Sequence, residues 1–434
     1  MFDFCKEGMK MEKRVIFHID VNSAFLSWEA VYRLKHLGVK LDLRMIPSAV
    51  GGDISKRHGI ILAKSIPAKK YHIQTGEPVT DALKKYPDLC LVPPNYSLYE
   101  KNSSAMMEIL RDYSPSVEIF SIDEAFIDMT GMESLFGPPV QAAARIKDRI
   151  REELGFTVNV GVSSNKLLAK MASDFKKPDL VHTLFPEEIE KKMWGLPVRD
   201  LFFVGTATEK KLRNLGIHTV GELARTDPEI LRSCLKKHGE VIWRFANGID
   251  ASGVITDPPK NKGYGNSTTT SFDVCDSETA KKVLLSLAET IGRRIRKDRV
   301  QIQVISVSLR YYDFTQESHQ KKLEEPTDVT NEIYEEACQI FSEMWRGKSI
   351  RHMGIHTGEV SEKNGCRQLS LFDDQRADHE KLSRMDRAID AIRMRYGADS
   401  VKRAVFLEND KIDHLSGGIS REKRTVDYSL QEIR

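Results

Sequence analysis

Ser121-Ile122-Asp123-Glu124-Ala125-Phe126-Ile127-Asp128 sets two adjacent carboxylates inside an otherwise apolar, strand-like run. Far upstream, His18-Ile19-Asp20-Val21-Asn22-Ser23-Ala24-Phe25 ends another apolar run on a single acid. Neighbouring strand residues point to opposite faces, so Asp123 and Glu124 reach one site only from a hairpin turn or a kinked strand end. The flanks Val117–Ile122 and Ala125–Met129 allow such a hairpin, with Asp128 as its cap. Three acids delivered by two strand ends suit a pair of Mg²⁺ ions gripping a triphosphate. One ion would lower the pKa of an attacking 3′-hydroxyl and the other would neutralise the leaving pyrophosphate. On this reading Asp20 and Asp123 bridge the ions and Glu124 completes the site nearest the nucleophile. An isolated Asp-Glu pair is otherwise an ordinary solvated turn, so the neighbouring sequence has to decide.

The chain has 434 residues, which predicts roughly two to four domains. Hydrophobic residues at 40% and charged residues at 30% describe a soluble, folded protein. A net charge of only +3 announces no global affinity for nucleic acid, so a DNA partner would need local basic surfaces. The longest apolar runs fall far short of the roughly 20 residues that span a bilayer, and no membrane partner is expected. Met1 to Arg14 is short and charged, with no stretch that reads as a secretory signal; a cytoplasmic location is expected. Cys5, Cys90, Cys234, Cys275, Cys338 and Cys366 form no CxxC pair and have no His at zinc-ligand spacing, which fits reduced thiols.

Val15 to Asp20 reads as a buried strand, and Val21 to Leu37 as a helix closing at Gly38. Short strands and loops follow up to Pro93-Pro94. A helix (Tyr96 to Tyr113), the hairpin, a basic helix (Val140 to Leu154), the strand Thr157–Val162 and the helix Asn165–Asp174 suggest an α+β sheet with helices on one face. Residues 183 to 250 look helical, 250 to 265 read as a linker, and 266 to 360 return to α/β with the β-rich run Val300–Tyr312. A polar stretch and a charged helical tail close the chain. Gly51-Gly52-Asp53 has the start of a diguanylate-cyclase signature but lacks its continuation and reads as a turn.

His18-Ile19-Asp20-Val21-Asn22, Ser121-Ile122-Asp123-Glu124-Ala125-Phe126, and Gly161 to Lys170 with Lys176-Lys177-Pro178 fall in an order that resembles the Y-family DNA polymerases, of the bacterial polymerase IV and V type. The likeness runs from about Val15 to Gly358. It implies a multidomain α+β fold, a right-hand polymerase with ferredoxin-like palm, small fingers, helical thumb and α/β little finger. The boundaries expected are 1–14 for an N-terminal tail, 15–28 and 95–183 for the palm, and 29–94 for the fingers. The thumb would take 184–252, a linker 253–265 and the little finger 266–360. A second linker (361–375) and the tail (376–434) complete the list.

The resemblance implies that Asp20, Asp123 and Glu124 are the catalytic metal carboxylates, with the Val21 carbonyl on the second of two Mg²⁺ ions, Mn²⁺ being a substitute. Phe25 falls where the family places a steric gate against ribonucleotides, although on spacing alone it is a plain core aromatic. Lys177 and Lys69 align with triphosphate-binding cations. The family's Asn-Tyr-x-Ala-Arg reads Ser65-Ile66-Pro67-Ala68-Lys69 here, so Ile66 donates no hydrogen bond and Lys69 makes no bidentate fork. Phe203-Val204-Gly205 with Leu215 to Leu223 resembles a helix-hairpin-helix, in which Gly205, Gly216 and Gly221 would approach DNA phosphates. Phe203 stands at the usual first glycine. Arg293, Arg294 and Arg296 belong to the densest basic cluster, placed to track duplex phosphates. Gln368-Leu369-Ser370-Leu371-Phe372 resembles a sliding-clamp peptide, with Leu371 and Phe372 as apolar anchors, Leu369 beside them and Gln368 at the pocket rim.

These expectations describe a monomeric, low-fidelity translesion polymerase acting on primer-template DNA and deoxynucleoside triphosphates, recruited by the sliding clamp. The rival is a catalytically weak or inactive DNA- and clamp-binding scaffold of the same fold. Intact Asp20, Asp123 and Glu124 favour the enzyme; Ile66, Lys69 and Phe203 favour the scaffold.

Overall fold

The apolar run before Asp20 forms strand β1 (Ile16–Val21), and all six of its residues are buried. A computed structural model describes residues 14–52, 59–362, 376–407 and 412–415. The chain divides into two compact units, one of residues 1–49, 63–70 and 98–258, the other of residues 50–62, 71–97 and 259–434.

After β1 come α1 (Ala24–His36), β2 (Ser48–Gly51), β3 (Ile61–Lys64), α2 (Ile66–Lys69), α3 (Val79–Lys85) and β4 (Cys90–Val92). Strands β2 to β4 make a three-stranded sheet of order β3-β2-β4. Helix α4 (Tyr96–Arg111) leads to the hairpin β5 (Val117–Ile119) and β6 (Glu124–Asp128), then α5 (Glu133–Phe136) and α6 (Pro139–Leu154). β7 (Val158–Ser163), α7 (Lys166–Ser173) and β8 (Val181–Thr183) complete a five-stranded sheet of order β5-β6-β1-β7-β8. β1 is antiparallel to both of its neighbours.

Helices cover both faces of this sheet, not one as the pattern suggested. Ile16 packs with Ala169 of α7 and His18 bonds Ser173 of the same helix. The alternate residue Phe17 points the other way and lines a cavity with Ala142 of α6. A strand enclosed on both faces has no exposed polar side, so all of β1 is buried, His18 and Asp20 included.

Helix α7 is buried from Leu167 to Ser173. Its far side enters the core of a helical array made of α8 (Ile189–Lys192), α9 (Thr206–Asn214), α10 (Val220–Arg225), α11 (Pro228–Leu235) and α12 (Lys237–Ala246). Leu168 and Met171 pack there with Leu212, Leu223 and Ile242. The Asn165 side chain starts α7 by accepting from the Leu168 N–H at 2.8 Å. On the sheet side the helix comes so close that a Cβ on Gly161 would lie 1.9 Å from the Ala169 carbonyl oxygen.

The second unit continues with β9 (Gly265–Val274), α13 (Ser277–Lys297), β10 (Val300–Tyr311), β11 (Gln316–Thr327), α14 (Thr330–Met344) and β12 (Ile350–Glu362). Its sheet is antiparallel, of order β11-β10-β12-β9. Leu284, Ile291, Ile340 and Phe341 from the two helices pack on Ile305, Val307 and Met353. Ser306, Ser308 and Arg310 alternate with that core, opposite His356, Gly354 and His352, and give the outer face a polar surface.

The charged tail is helix α15 (Arg376–Tyr396), attached by ion pairs rather than by an apolar stripe. Arg296 of α13 bonds Asp386 at 2.9 Å and Asp390 at 2.7 Å, and the Thr330 N–H donates to Asp386 at 2.8 Å. Arg393 near the end of α15 and Arg403 beyond it both grip the buried Glu289, at 2.9 and 2.6 Å. No helix of the described residues is long and apolar enough to cross a membrane.

Because backbone, not a flexible side chain, faces Gly161, a Gly161→Ala chain has to part β7 from α7. The expected cost is about 1–3 kcal/mol, read as a fall in thermal midpoint with secondary structure retained.

Candidate functional site

The register of β1 and β6 sets Asp20 directly opposite Glu124, on the same sheet face. The turn before Glu124 is closed by its own carbonyl, which accepts from the N–H groups of Phe120 and Ser121, each at 3.1 Å. Ser121 Oγ donates to Asp123 Oδ1 at 2.6 Å, and the Asp123 carbonyl accepts from the Val21 N–H at 3.0 Å. Asp20, Val21, Asp123 and Glu124 therefore gather at one end of the sheet. Asp128 lies at the other end of β6, where its Oδ1 accepts from the Thr130 N–H at 3.0 Å and closes the strand.

Positive charge from one helix and the turn after it answers these acids. Asp20 is 7% exposed, and burial pushes its carboxyl up to about 6 although Lys177 Nζ sits 2.5 Å from Oδ2. Burial acts the same way on Glu124, but His18 and Lys170 outweigh it and hold that carboxyl near 2. Lys170 Nζ donates to Glu124 Oε2 at 2.8 Å; His18 Nε2 is 3.7 Å from the same oxygen. Lys177 also pairs with Asp174 at 2.8 Å. The turn carrying Lys177 is fixed by the buried Asn159 of β7, the register partner of Asp20, whose Nδ2 donates to the Ser173 and Lys176 carbonyls.

Among the described residues no three His, Cys, Asp or Glu side chains are already gathered as a metal cluster. The donors at the sheet end are nonetheless hard oxygens, the kind that bind Mg²⁺. Burial raises the Asp20 carboxyl, and the ammonium groups of Lys177 and Lys170 stand against Asp20 and Glu124. The residues present fit a hard divalent cation.

Phe25 lies in the first turn of α1, half-buried, its ring stacked on Tyr99 at 4.5 Å and 7° and tilted against Trp28 at 5.9 Å. Tyr99 OH in turn donates to the buried Glu29 at 2.9 Å. The ring is thereby fixed in place just past the strand that carries Asp20. Lys69 is exposed at the end of α2, behind the exposed Ile66, and its side chain makes no hydrogen bond or ion pair with the three acids.

Two of the expected DNA contacts are corrected by the geometry. Gly221 is buried, and a Cβ there would meet Trp194 Cβ at 2.9 Å, so its glycine serves packing rather than approach to phosphate. Arg296 is turned inward to Asp386 and Asp390. Gly205 and Gly216 are exposed with open space where a side chain would be. Phe203 holds φ +73°, the left-handed region that favours glycine, and is 57% exposed. Arg294 donates to the Gly265 carbonyl at 2.9 Å and lies over Tyr264; Arg293 is half-buried. Gln368, Leu369, Leu371 and Phe372 lie outside the described residues.

Lys170, Ser173, Asn159 and the paired role of His18 escaped the sequence reading. His18 shares a strand face with Asp20 two residues on, and Lys170 and Ser173 share a helix face; that spacing was the available signal.

Residues 19–174 match the impB/mucB/samB family, residues 261–371 that family's C-terminal domain, and residues 186–217 the IMS family HHH motif. DNA polymerase IV of Clostridium acetobutylicum is 45% identical over 402 residues, 92% of this chain and 99% of that one. DNA polymerase IV of Acetivibrio thermocellus is 38% identical over 93% of this chain and 100% of its own. DNA polymerase IV 1 of Bacillus subtilis is 34% identical over 93% and 95%. Among solved structures, the Y-family DNA polymerase chimera Dbh-Dpo4(243-245)-Dbh superposes with a TM-score of 0.68 at 22% identity, covering 80% of this chain and 100% of that chain.

The burial of Asp20 has a measurable sign. Its folded carboxyl titrates at about 6, against an ordinary value of 3.8, so stability falls as pH rises from about 4 to about 6 and the full penalty stands above that range. Without divalent ions, Asp20→Asn should be more stable than wild type at pH 8, by on the order of 1–3 kcal/mol. The gap should narrow as pH falls from about 6 and close near about pH 4 in chemical denaturation; a gap that widens over that range contradicts a proton-binding, buried Asp20.

Proposed function

The chain belongs to the impB/mucB/samB family of Y-family DNA polymerases, and on that footing we propose that it is a template-directed DNA polymerase of the translesion type, acting in DNA damage tolerance. The observation that carries this reading is the opposition of Asp20 and Glu124 across β1 and β6, with Asp123 in the adjoining turn. In our reading Asp20, Asp123 and Glu124, with the Val21 carbonyl, would hold two Mg²⁺ ions, Glu124 on the side of the nucleophile; Mn²⁺ would substitute. When bound, the ions lower the pKa of the primer 3′-hydroxyl and neutralise the leaving pyrophosphate.

The chain's own residues do the rest. Lys177, held between Asp20 and Asp174, turns to the triphosphate when the nucleotide arrives, and the exposed Lys69 adds a second point charge. Phe25, stacked on Tyr99, closes the space where a 2′-hydroxyl would sit and so selects deoxynucleotides. Gly205 and Gly216 admit DNA phosphates to the backbone of the helical array, and Arg293 and Arg294 add charge on the second unit. In family terms residues 15–28 and 95–183 are the palm, 29–94 the fingers, 184–252 the thumb and 266–360 the little finger. Gln368, Leu369, Leu371 and Phe372 bind the sliding clamp as an extended peptide, on a protein that works as a cytoplasmic monomer.

Primer extension on a synthetic template with Mg²⁺ tests the reading against an inert scaffold. Wild type should add templated deoxynucleotides, and Asp123→Ala should lose roughly a hundredfold or more in rate at unchanged thermal midpoint. Undiminished extension by Asp123→Ala removes the proposed site. Phe25→Val should narrow the preference for deoxynucleotides over ribonucleotides by at least about tenfold, leaving deoxynucleotide addition largely intact. An unchanged ratio rejects the gate.

A further inference from the structure

Phe203 occupies a turn whose backbone is built for glycine: its φ is +73°, in the left-handed region. A bulky side chain there is an outlier, and such strained positions collect at binding sites. The ring is held from one side. It meets Phe202 edge-on at 4.5 Å and 90°, and Phe245 at 5.7 Å and 74°. Those two half-buried rings stack on each other at 6.3 Å and 17°, and both pack on the core of the helical array. The other side of the Phe203 ring stands open, and the residue is 57% exposed. Packing explains where the ring sits. It does not explain why a turn suited to glycine presents a ring to water.

The surroundings point to what covers it. Two residues on, Gly205 is exposed, with open space where a side chain would be. His238 Nε2 lies 3.5 Å from Thr208 Oγ1, which sets the exposed Lys236 and Lys237 beside the first turn of α9. Neither lysine has a carboxylate partner among the described residues. The single acid of α9, Glu209, is 9% exposed and already paired with Arg213 at 2.9 Å. Bare backbone, unpaired positive charge and one fixed ring complement a polyanion with apolar surface between its charges. A DNA strand, in which phosphate and deoxyribose alternate, has that make-up. In a duplex each base face is covered by its neighbours, so a ring beside the backbone meets the sugar.

We propose that Phe203 is a DNA-binding residue, its ring packing on a deoxyribose of the duplex whose phosphates approach Gly205. The contact adds apolar affinity to a grip otherwise made of charge and backbone N–H groups. The inference rests on the DNA-facing role proposed above for Gly205 and Gly216.

Two substitutions remove the ring and spare the turn. Phe203→Gly installs the residue this backbone suits, and Phe203→Asn one that tolerates the same region, so both should keep a thermal midpoint close to wild type. A fluorescently labelled primer-template duplex, titrated with the full-length protein without nucleotide over a series of salt concentrations, reads affinity apart from turnover. Both variants should weaken duplex binding about tenfold at every salt concentration. The slope of log Kd against log salt should not change, because a ring releases no counterions. Gly205→Glu sets an acid against the same phosphates and should also weaken binding. Wild-type affinity in both Phe203 variants, with Gly205→Glu weakened, overturns the role of Phe203 and leaves the hairpin on DNA. Wild-type affinity in all three overturns both readings together. A loss seen only with a single strand of the same sequence makes the ring a base-stacking platform and overturns the sugar contact. A loss that comes with a shallower salt slope shows that phosphate contacts went instead, and also overturns it.

Discussion

Two carboxylates that face each other across one antiparallel strand pair, one of them nearly dry, cannot both be ionised unless cations come with them. Much of the first unit can be understood as the supply of that charge. Helix α7 delivers Lys170, and the turn after it delivers Lys177. Gly161 lets the helix approach the sheet, Asn159 pins the turn, and the helical array presses α7 in place from the far side. The resulting site is preorganised for positive charge.

Much of this was legible in the residues. Continuous burial on two faces wrote β1 as an apolar run with one acid at its end, and the Asp-Glu pair demanded the turn that is found between β5 and β6. The β-rich run Val300–Tyr312 was equally plain, because β10 is covered on only one side. What misled was the assumption that strand-helix alternation around the acids meant helices on a single face. A strand covered twice gives no alternating signal, and local pattern does not count how many layers lie above it.

Charge and glycine carried less information than their sequence positions suggested. Arg296 stands in the densest basic run but spends its guanidinium on two aspartates some ninety positions later, a pairing no local window reveals. Gly221 sits in a helix-hairpin-helix pattern yet is there because Trp194 leaves no room for a Cβ. Phe203 adopts the left-handed backbone that its pattern assigns to glycine, so the turn has that geometry without the residue suited to it. Lys170 and Ser173 look like routine helix residues until the fold brings them under His18 and Glu124.

The ion pairs that fasten α15 have a consequence for reading related chains. Glu289 is buried with two arginines from the tail, and Arg296 is held by two of its aspartates. Without the tail, Glu289 and Arg296 lose the ion-pair partners that offset their burial. Loss of the tail in a relative should thus go with replacement at these two positions. The identities at 289 and 296 alone would then tell whether a chain still carries, or once carried, a docked C-terminal helix.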